Sequence, residues 1–188
     1  MKIRAIEHPK VEAAVVGDTA LGGRILKVNH AGENGAVHIY AGQIFVARLT
    51  VPALVSELIE FKSHEEKHRA IFLAELQRRG VPRCRSYWLC AAGGFALGFL
   101  TAFLGRSAIA ATTVAVERVV LSHLKTQLIA LAGKDEAAVQ AIALIVEEEQ
   151  QHHDQSATHF AAGQFWPRLL TPVVVASTET VIWFGMRL

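Results

Sequence analysis

The 188-residue chain has few cysteines, few charged residues and almost no net charge. Its two cysteines, Cys84 and Cys90, have no Cys or His partner at zinc-finger spacing, which argues against a zinc finger and favours reduced thiols in a reducing compartment. A net charge of +2 without a Lys/Arg cluster argues against nucleic-acid binding. The length is that of one domain. Hydrophobic residues make up 52% and charged residues 19%, a composition that is apolar for a soluble domain.

Targeting signals are also missing from the N-terminal segment MKIRAIEHPKVEAAVVGDT. It has no apolar run of the kind found in signal peptides, and it is too acidic and too poor in arginine for a transit peptide. We therefore expect neither export nor disulfide chemistry.

Strand patterns are essentially absent, whereas apolar residues recur at helical spacing along most of the chain. We predict one all-α domain over residues 1–188, in which residues 1–18 form a loose lead-in. Pro52 suits a helix start, and Gly80 with Pro82 forms a stop signal. The predicted helices are 21–49, 52–79, 87–105, 106–132, 136–162 and 168–188.

Two of these segments are unusually apolar. Residues 87–105 carry no charge and are just long enough to span a bilayer, but four glycines dilute their hydrophobicity. Residues 168–188 carry Glu179 in their middle, which argues against spanning. We expect both segments to be buried or to lie in the membrane interface, with a true span over 87–105 as the alternative.

Two Glu-x-x-His pairs in the sequence indicate a metal site. Each pair lies on one helix face, one turn apart, so each can hold one metal ion. A single glutamate precedes each pair by 32 residues, and shifting the first set by 84 residues gives the second set. The first set is Glu33, Glu65 and His68, and the second is Glu117, Glu149 and His152.

Antiparallel helix geometry brings each set together. The midpoint between the lone glutamate and its pair falls near residue 50 in the first set and near residue 134 in the second, where turns are predicted. Two such hairpins facing each other give four carboxylates and two imidazoles, the arrangement found in ferritin-like di-iron and di-manganese proteins. Glu33 and Glu117 have apolar neighbours in the sequence, so each needs a cation or a proton. Hard oxygen ligands with imidazoles favour Fe or Mn.

The segments VNHAGENGAVHIYAGQ, EEKH, TVAVE and EEQQHHD resemble the signature segments of the demethoxyubiquinone hydroxylase family of ubiquinone biosynthesis. The resemblance runs from about Ile25 to the C-terminus. It implies a ferritin-like four-helix bundle that holds two Fe ions. The implied bridging carboxylates are Glu65 together with Glu149 or Glu117. The implied iron ligands, which also act in catalysis through the metals, are Glu33, Glu65, His68, Glu117, Glu149 and His152.

The resemblance also implies the reaction, an O2-dependent hydroxylation of the ring of a polyprenyl demethoxyubiquinol or demethoxyubiquinone. One oxygen atom enters the ring and the other leaves as water. The family acts at the inner membrane, which implies a peripheral protein on the cytoplasmic face in bacteria or on the matrix face in mitochondria. Its implied partners are the quinone, O2 and membrane lipid, together with other ubiquinone-biosynthesis proteins. The electron donor, the tail length and the oligomeric state are left open.

Several residues near the predicted ligands are candidates for supporting the site or contacting the substrate. His30 and Tyr40 share the helix face of Glu33. The alternative for His30 is an ordinary packed or surface histidine, and the alternative for Tyr40 is core packing. His123 is a weaker candidate. The residue after it, Leu124, departs from the family resemblance, which implies a polar or aromatic residue here, and this argues against a role of the pair in electron delivery. Asp154 could orient an imidazole. We expect His64 and His153 to face outward.

Three glycines near Glu33 interrupt an otherwise helical segment. We expect Gly32, Gly35 and Gly42 to let a neighbouring helix or a flat quinone ring approach closely. Alanine at Gly35 or Gly42 should then stabilise the helix while impairing turnover.

Two other function classes share the predicted ligand pattern. One is a di-iron hydroxylase acting on tRNA, against which the low net charge and the apolar segments count. The other is a ferritin-like iron-storage protein, which requires a polar outer surface. The apolar segments could also be buried in an oligomer interface.

Overall fold

The computed structural model describes residues 9–160 and 164–188. Within them the chain is helical, and no strand is present. The predicted all-α class is therefore confirmed. A single 3-10 turn at Pro52–Leu54 joins the first two helices. The α-helices are α1 (Pro9–Thr50), α2 (Val55–Arg78), α3 (Tyr87–Phe103), α4 (Arg106–Leu131), α5 (Glu136–Ala143), α6 (Val146–Ala157) and α7 (Phe165–Gly185).

The first helix begins earlier than the sequence pattern indicates. Helix α1 starts at Pro9, so the prediction of a loose lead-in is wrong for residues 9–18. Residues 1–8 lie outside the described residues. Proline costs no hydrogen bond at the first helical position, and the Lys, Glu and Ala residues that follow are good helix formers.

The predicted helix over 136–162 is wrong in two respects. It is divided into α5 and α6 by a tightened turn, where the Ile145 N–H donates to the Ile142 carbonyl at 3.3 Å. It also ends at Ala157, and residues 161–163 lie outside the described part of the chain. The turn sequence contains neither proline nor glycine, so it carries no local signal for the interruption.

Helices α1, α2, α4 and the α5–α6 pair form the four arms of a ferritin-like bundle. Helix α1 packs on α2, and α4 packs on α6. Two apolar clusters fill the bundle and leave a polar layer between them. The first cluster includes Leu26, Phe72, Leu76, Leu124, Leu131 and Ile142, and the second includes Tyr40, Ile44, Leu54, Leu58, Phe61 and Ile109.

Helices α3 and α7 lie outside the four arms. Helix α3 packs on α1, and α7 packs mainly on α4. Helix α3 has 17 residues, fewer than the roughly 20 that a span requires. By length and composition, the one helix of the described residues that could cross a membrane is α4, but 72% of its apolar window is buried inside the protein. Its apolar character is therefore explained by the core.

Backbone-to-backbone contact between α1 and α3 explains one of the three glycines near Glu33. A Cβ at Gly42 would overlap the backbone of Phe95 and Phe99, so the prediction that alanine stabilises this position is wrong. A Cβ at Gly35 would make ordinary van der Waals contact with Cys90, and one at Gly32 would meet open space. On α3, Gly94 and Gly98 make the reciprocal close approach to α1.

Replacing Gly98 by alanine should destabilise the protein by about 1–3 kcal/mol, because its Cβ would overlap the Ile39 backbone and push α3 away from α1. Gly93 is the matched control on the same helix, since a Cβ there meets no atom within 4 Å. Gly93→Ala should instead gain about 0.5–1 kcal/mol of helix stability. Urea unfolding of the two variants measures both values, and equal stabilities would contradict the close α1–α3 contact.

Candidate metal centre

The polar layer of the bundle contains the six residues selected by their spacing. Helix α1 supplies Glu33, α4 supplies Glu117, and each Glu-x-x-His pair lies on α2 or α6. All six residues are at most 5% exposed. Their ligand atoms form two groups, and within each group these atoms lie within 4.8 Å of one another. The first group is Glu33, Glu65, His68 and Glu149, and the second is Glu65, Glu117, Glu149 and His152.

The two groups share Glu65 and Glu149, one carboxylate from each Glu-x-x-His pair. Glu33 and Glu117 each belong to only one group. Each group can hold one metal ion, so a residue shared by both groups can reach both metal positions. The geometry thus favours Glu149 over Glu117 as the second bridging carboxylate beside Glu65. The 84-residue repeat of the sequence becomes an approximate two-fold relation between the two halves of the site.

The residues present fit a pair of metal ions. The Nδ1 atoms of both histidines face the carboxylates: His68 Nδ1 lies 2.9 Å from Glu149 Oε1, and His152 Nδ1 lies 3.2 Å from Glu65 Oε1. Yet these four buried atoms make no properly aligned hydrogen bond. Donor atoms that converge without satisfying one another are arranged as metal ligands are. Carboxylate and imidazole donors suit Fe or Mn.

Burial has large effects on the ionisation of this cluster. Burial and the neighbouring carboxylates raise the pKa of Glu33 and of Glu117 well above the usual range. Burial alone would lower the pKa of the imidazoles, but the carboxylates beside them raise it to about 11 for His68 and about 9 for His152. Burial alone would raise the pKa of Glu149, but the nearby His152 and His68 imidazoles and the Glu117 carboxyl lower it. Without metal, the cluster therefore holds protons at neutral pH.

The outer nitrogen of each histidine contacts a residue for which the sequence predicts no role at the site. His68 Nε2 lies 2.7 Å from Glu148 Oε2, and His152 Nε2 lies 3.0 Å from His64 Nδ1. The expectation that His64 faces outward is wrong, because its ring stacks on that of His152 with centroids 5.3 Å apart. The 84-residue shift offered a signal, since it relates His64 to Glu148.

Asp154 does not orient a predicted ligand. Its carboxylate accepts hydrogen bonds from Gln150 and from its neighbour His153, and it is exposed. The contact predicted with a ligand imidazole is made instead by Glu148 on His68. The reason is helical geometry, since Asp154 lies two residues after His152 and projects away from its face.

Tyr40 and His30 have different surroundings. The Tyr40 hydroxyl donates to Glu117 Oε1 at 3.1 Å, so this side chain joins the cluster as well as the core. Burial and the Glu117 carboxylate raise the pKa of Tyr40, which keeps the hydroxyl proton in place. His30 is fully buried and stacks on Tyr87 with centroids 4.9 Å apart. Burial and the nearby Arg83 and Arg69 lower the pKa of His30 to about 4, so it is a neutral, packed histidine at pH 7.

A cavity of about 570 Å³ adjoins the cluster. Its walls are largely apolar and come from α1, α3, α4 and α7, and four carboxylates of the cluster line it. The exposed side chains of Leu89 on α3 and Val173 on α7 border it, so it opens between these two helices. The lining carboxylates are Glu33, Glu65, Glu117 and Glu149.

Polar pairs brace the cavity walls. Asn29 on α1 and Gln127 on α4 exchange two amide hydrogen bonds, of 2.8 and 3.0 Å. His123 on α4 lines the cavity and its Nε2 lies 2.9 Å from Glu179 Oε2 on α7. His123 therefore borders the cavity, and its Nε2 contacts Glu179 rather than a carboxylate of the cluster.

Comparison with known proteins identifies similar sequences over nearly the whole chain. The family model described as "Ubiquinone biosynthesis protein COQ7" matches residues 20–185. The "NADPH-dependent 3-demethoxyubiquinone 3-hydroxylase, mitochondrial" of Mus musculus is 35% identical over 170 residues, covering 87% of this chain and 76% of the relative. The "3-demethoxyubiquinol 3-hydroxylase" of Rhodospirillum rubrum is 36% identical over 171 residues, covering 89% and 79%.

Metal binding to the metal-free protein should weaken as the pH falls. The raised pKa values keep protons on Glu33, Glu117, His68 and His152 at neutral pH, and a metal ion must displace them. For each proton released, the dissociation constant should rise about tenfold per unit fall in pH. Calorimetric titration with Mn²⁺ in buffers of different ionisation enthalpy measures the proton release. Binding that does not change with pH would contradict a protonated cluster.

Proposed function

Because the chain belongs to the COQ7 family of ubiquinone biosynthesis proteins, we propose that it hydroxylates the ring of a polyprenyl demethoxyubiquinol or demethoxyubiquinone with O2. It is an oxidoreductase of the monooxygenase class. The observation that supports the proposal is that a cluster of six potential metal ligands adjoins an apolar cavity. A hydroxylase of a lipid-like ring requires both features at one place.

The cluster would hold two Fe ions. Glu33 and His68 would bind one ion, Glu117 and His152 would bind the other, and Glu65 and Glu149 would bridge them, as the two overlapping ligand groups support. When bound, a di-iron centre activates O2 for insertion of one oxygen atom into the ring. Four carboxylates balance the charge of two divalent ions, which removes the cost of burying the carboxylates.

The cavity would place the substrate ring beside the carboxylates. Gly32 leaves open space on the α1 wall, where a side chain would narrow the route from the cavity to Glu33. Leu97 on α3 and Val116 and Val120 on α4 provide apolar contacts for a ring and the first part of its tail. These walls also keep bulk water from the ring. The remaining prenyl tail would leave between α3 and α7.

Protein residues around the cluster would fix the ligands in position. Tyr40 donates to Glu117, which restrains the carboxylate at one metal position. Glu148 and His64 contact the outer nitrogens of the histidines, and this sets which ring nitrogen faces the metal. The double hydrogen bond of Asn29 and Gln127 holds α1 and α4 together beside the cavity.

The exposed faces of α3 and α7 would contact the membrane that contains the substrate. Both helices expose large apolar side chains, among them Trp88, Leu100 and Phe103 on α3 and Phe165 and Trp183 on α7. Arginines lie near both ends of each helix, where they can reach lipid phosphates while the apolar faces enter the interface. They are Arg83, Arg85, Arg106, Arg168 and Arg187. This supports a protein that lies on a membrane surface. The family resemblance favours the cytoplasmic face of a bacterial inner membrane, or the matrix face in mitochondria.

Two electrons must reach the site for each hydroxylation. The names of the mitochondrial relatives state NADPH dependence, so NADPH is the first electron donor to supply in an assay. Other ubiquinone-biosynthesis proteins, or a second copy of this chain, could share the apolar faces of α3 and α7. Neither tRNA modification nor iron storage accounts for an apolar cavity beside the carboxylates.

The quinone content of cells that lack this protein tests the proposal directly. Demethoxyubiquinone should accumulate, and the wild-type chain should restore ubiquinone. Glu117→Ala should fail to restore it and should lose at least about 100-fold in activity, because a metal ligand is removed while the helices keep their packing. Glu66→Ala is the matched control, since Glu66 is exposed and forms a surface ion pair with Lys62. Normal ubiquinone in cells lacking the protein, or full rescue by Glu117→Ala, would contradict the proposal.

Membrane binding is tested by polar substitutions on α3. Leu100→Ser with Phe103→Ser removes two side chains that are about 60% exposed, so it should reduce co-sedimentation with liposomes while leaving metal content intact. Ile129→Ser with Leu144→Ser is the control, because these residues are at least as exposed but lie on α4 and beyond α5, away from α3. Equal binding by both double variants would place the docking surface elsewhere.

A further inference from the structure

The two halves of the metal centre differ in the residues behind their histidines. His64 and Glu148 occupy equivalent positions in the repeat, each directly before the glutamate of its Glu-x-x-His pair. Each contacts the histidine of the opposite half: Glu148 Oε2 lies 2.7 Å from His68 Nε2, and His64 Nδ1 lies 3.0 Å from His152 Nε2. Equivalent positions thus carry an anionic carboxylate in one half and an imidazole in the other.

The contacted nitrogens are those that point away from the metal positions. In both histidines Nδ1 faces the buried carboxylates, so Nε2–H is free to donate outward. The acceptor behind a metal-bound imidazole changes how strongly the ring donates electrons to the metal. A carboxylate acceptor draws the Nε2 proton more strongly than a neutral imidazole does, because the hydrogen bond is charge-assisted. The His68 ring should therefore be the stronger donor.

The other ligands of the two positions do not cancel this difference. Both positions share Glu65 and Glu149, and each adds one glutamate from the lone position of its repeat, Glu33 or Glu117. Tyr40 donates a hydrogen bond to Glu117, which reduces the electron donation of that carboxylate. Position 124, which the repeat relates to Tyr40, is Leu124, and a leucine side chain can offer Glu33 no such bond. Both differences act in the same direction.

We propose that the metal position of His68 and Glu33 binds its ion more tightly than the position of His152 and Glu117, with Glu148 and His64 as the positioning residues that create the difference. This inference rests on the proposed metal centre. It predicts that the protein loads its two ions in order, and that the ion beside His152 is the one lost first to a chelator.

Metal titration of the metal-free protein tests this order without any measurement of turnover. Wild-type protein titrated with Mn²⁺ or Co²⁺ should show two steps of different affinity. Glu33→Gln should abolish the tighter step, and Glu117→Gln should abolish the weaker one. Two equal steps in the wild-type protein would overturn the inference.

Paired substitutions then assign the difference to the two outer residues. Glu148→Gln should weaken the tighter step about 10- to 100-fold, because the charged acceptor behind His68 is lost. His64→Gln is the matched control, since it replaces one neutral acceptor by another and should leave the weaker step nearly unchanged. His64→Glu should strengthen the weaker step. Circular dichroism of each metal-free variant verifies that the helices are retained.

The outcomes separate this inference from the proposed function. Failure of the wild-type protein to bind any divalent metal would overturn the metal centre and this inference with it. Two bound ions whose affinities respond equally to Glu148→Gln and His64→Gln would overturn the inference alone and leave the hydroxylase proposal intact.

Discussion

Four carboxylates buried within an apolar bundle are the constraint on which the rest of this structure depends. Placed together without cations they would repel one another and lose hydration, and both effects raise the pKa of Glu33 and of Glu117. The surrounding bundle must therefore be stable without help from this layer. The two apolar clusters above and below the site provide that stability, with Phe61 and Phe72 on α2 packed on opposite sides of Glu65.

The sequence predicts the centre well because helical periodicity and two-fold repetition act on the same residues. A separation of 32 residues across a turn returns the chain to the same height, and an 84-residue shift reproduces the set. The predictions that are wrong concern features for which the neighbouring residues carry no sequence signal. The turn at Leu144 and Ile145 lies within an apolar run that contains no proline or glycine to mark the interruption. The inward turn of His64 depends on His152, 88 residues away.

The apolar segments and the glycines serve one arrangement. Helix α3 is short, exposed on one side, and set against α1 by Gly42, Gly94 and Gly98. Both α1 and α3 line the cavity, so their close packing fixes the position of one cavity wall relative to the carboxylates. From the sequence, the glycines near Glu33 form one group, whereas in the structure Gly42 allows a helix contact and Gly32 leaves space in the cavity.

The two walls of the cavity entrance differ in stiffness. On one side, α3 is set against α1 through backbone atoms in contact at glycine, so it can slide or roll only if main chains separate. On the other side, α7 rests on α4 through side chains such as Val174 and through the His123–Glu179 contact at its surface. Side chains change rotamers at far lower cost than helices separate. The entrance would therefore widen more readily by a shift of α7 than by a shift of α3.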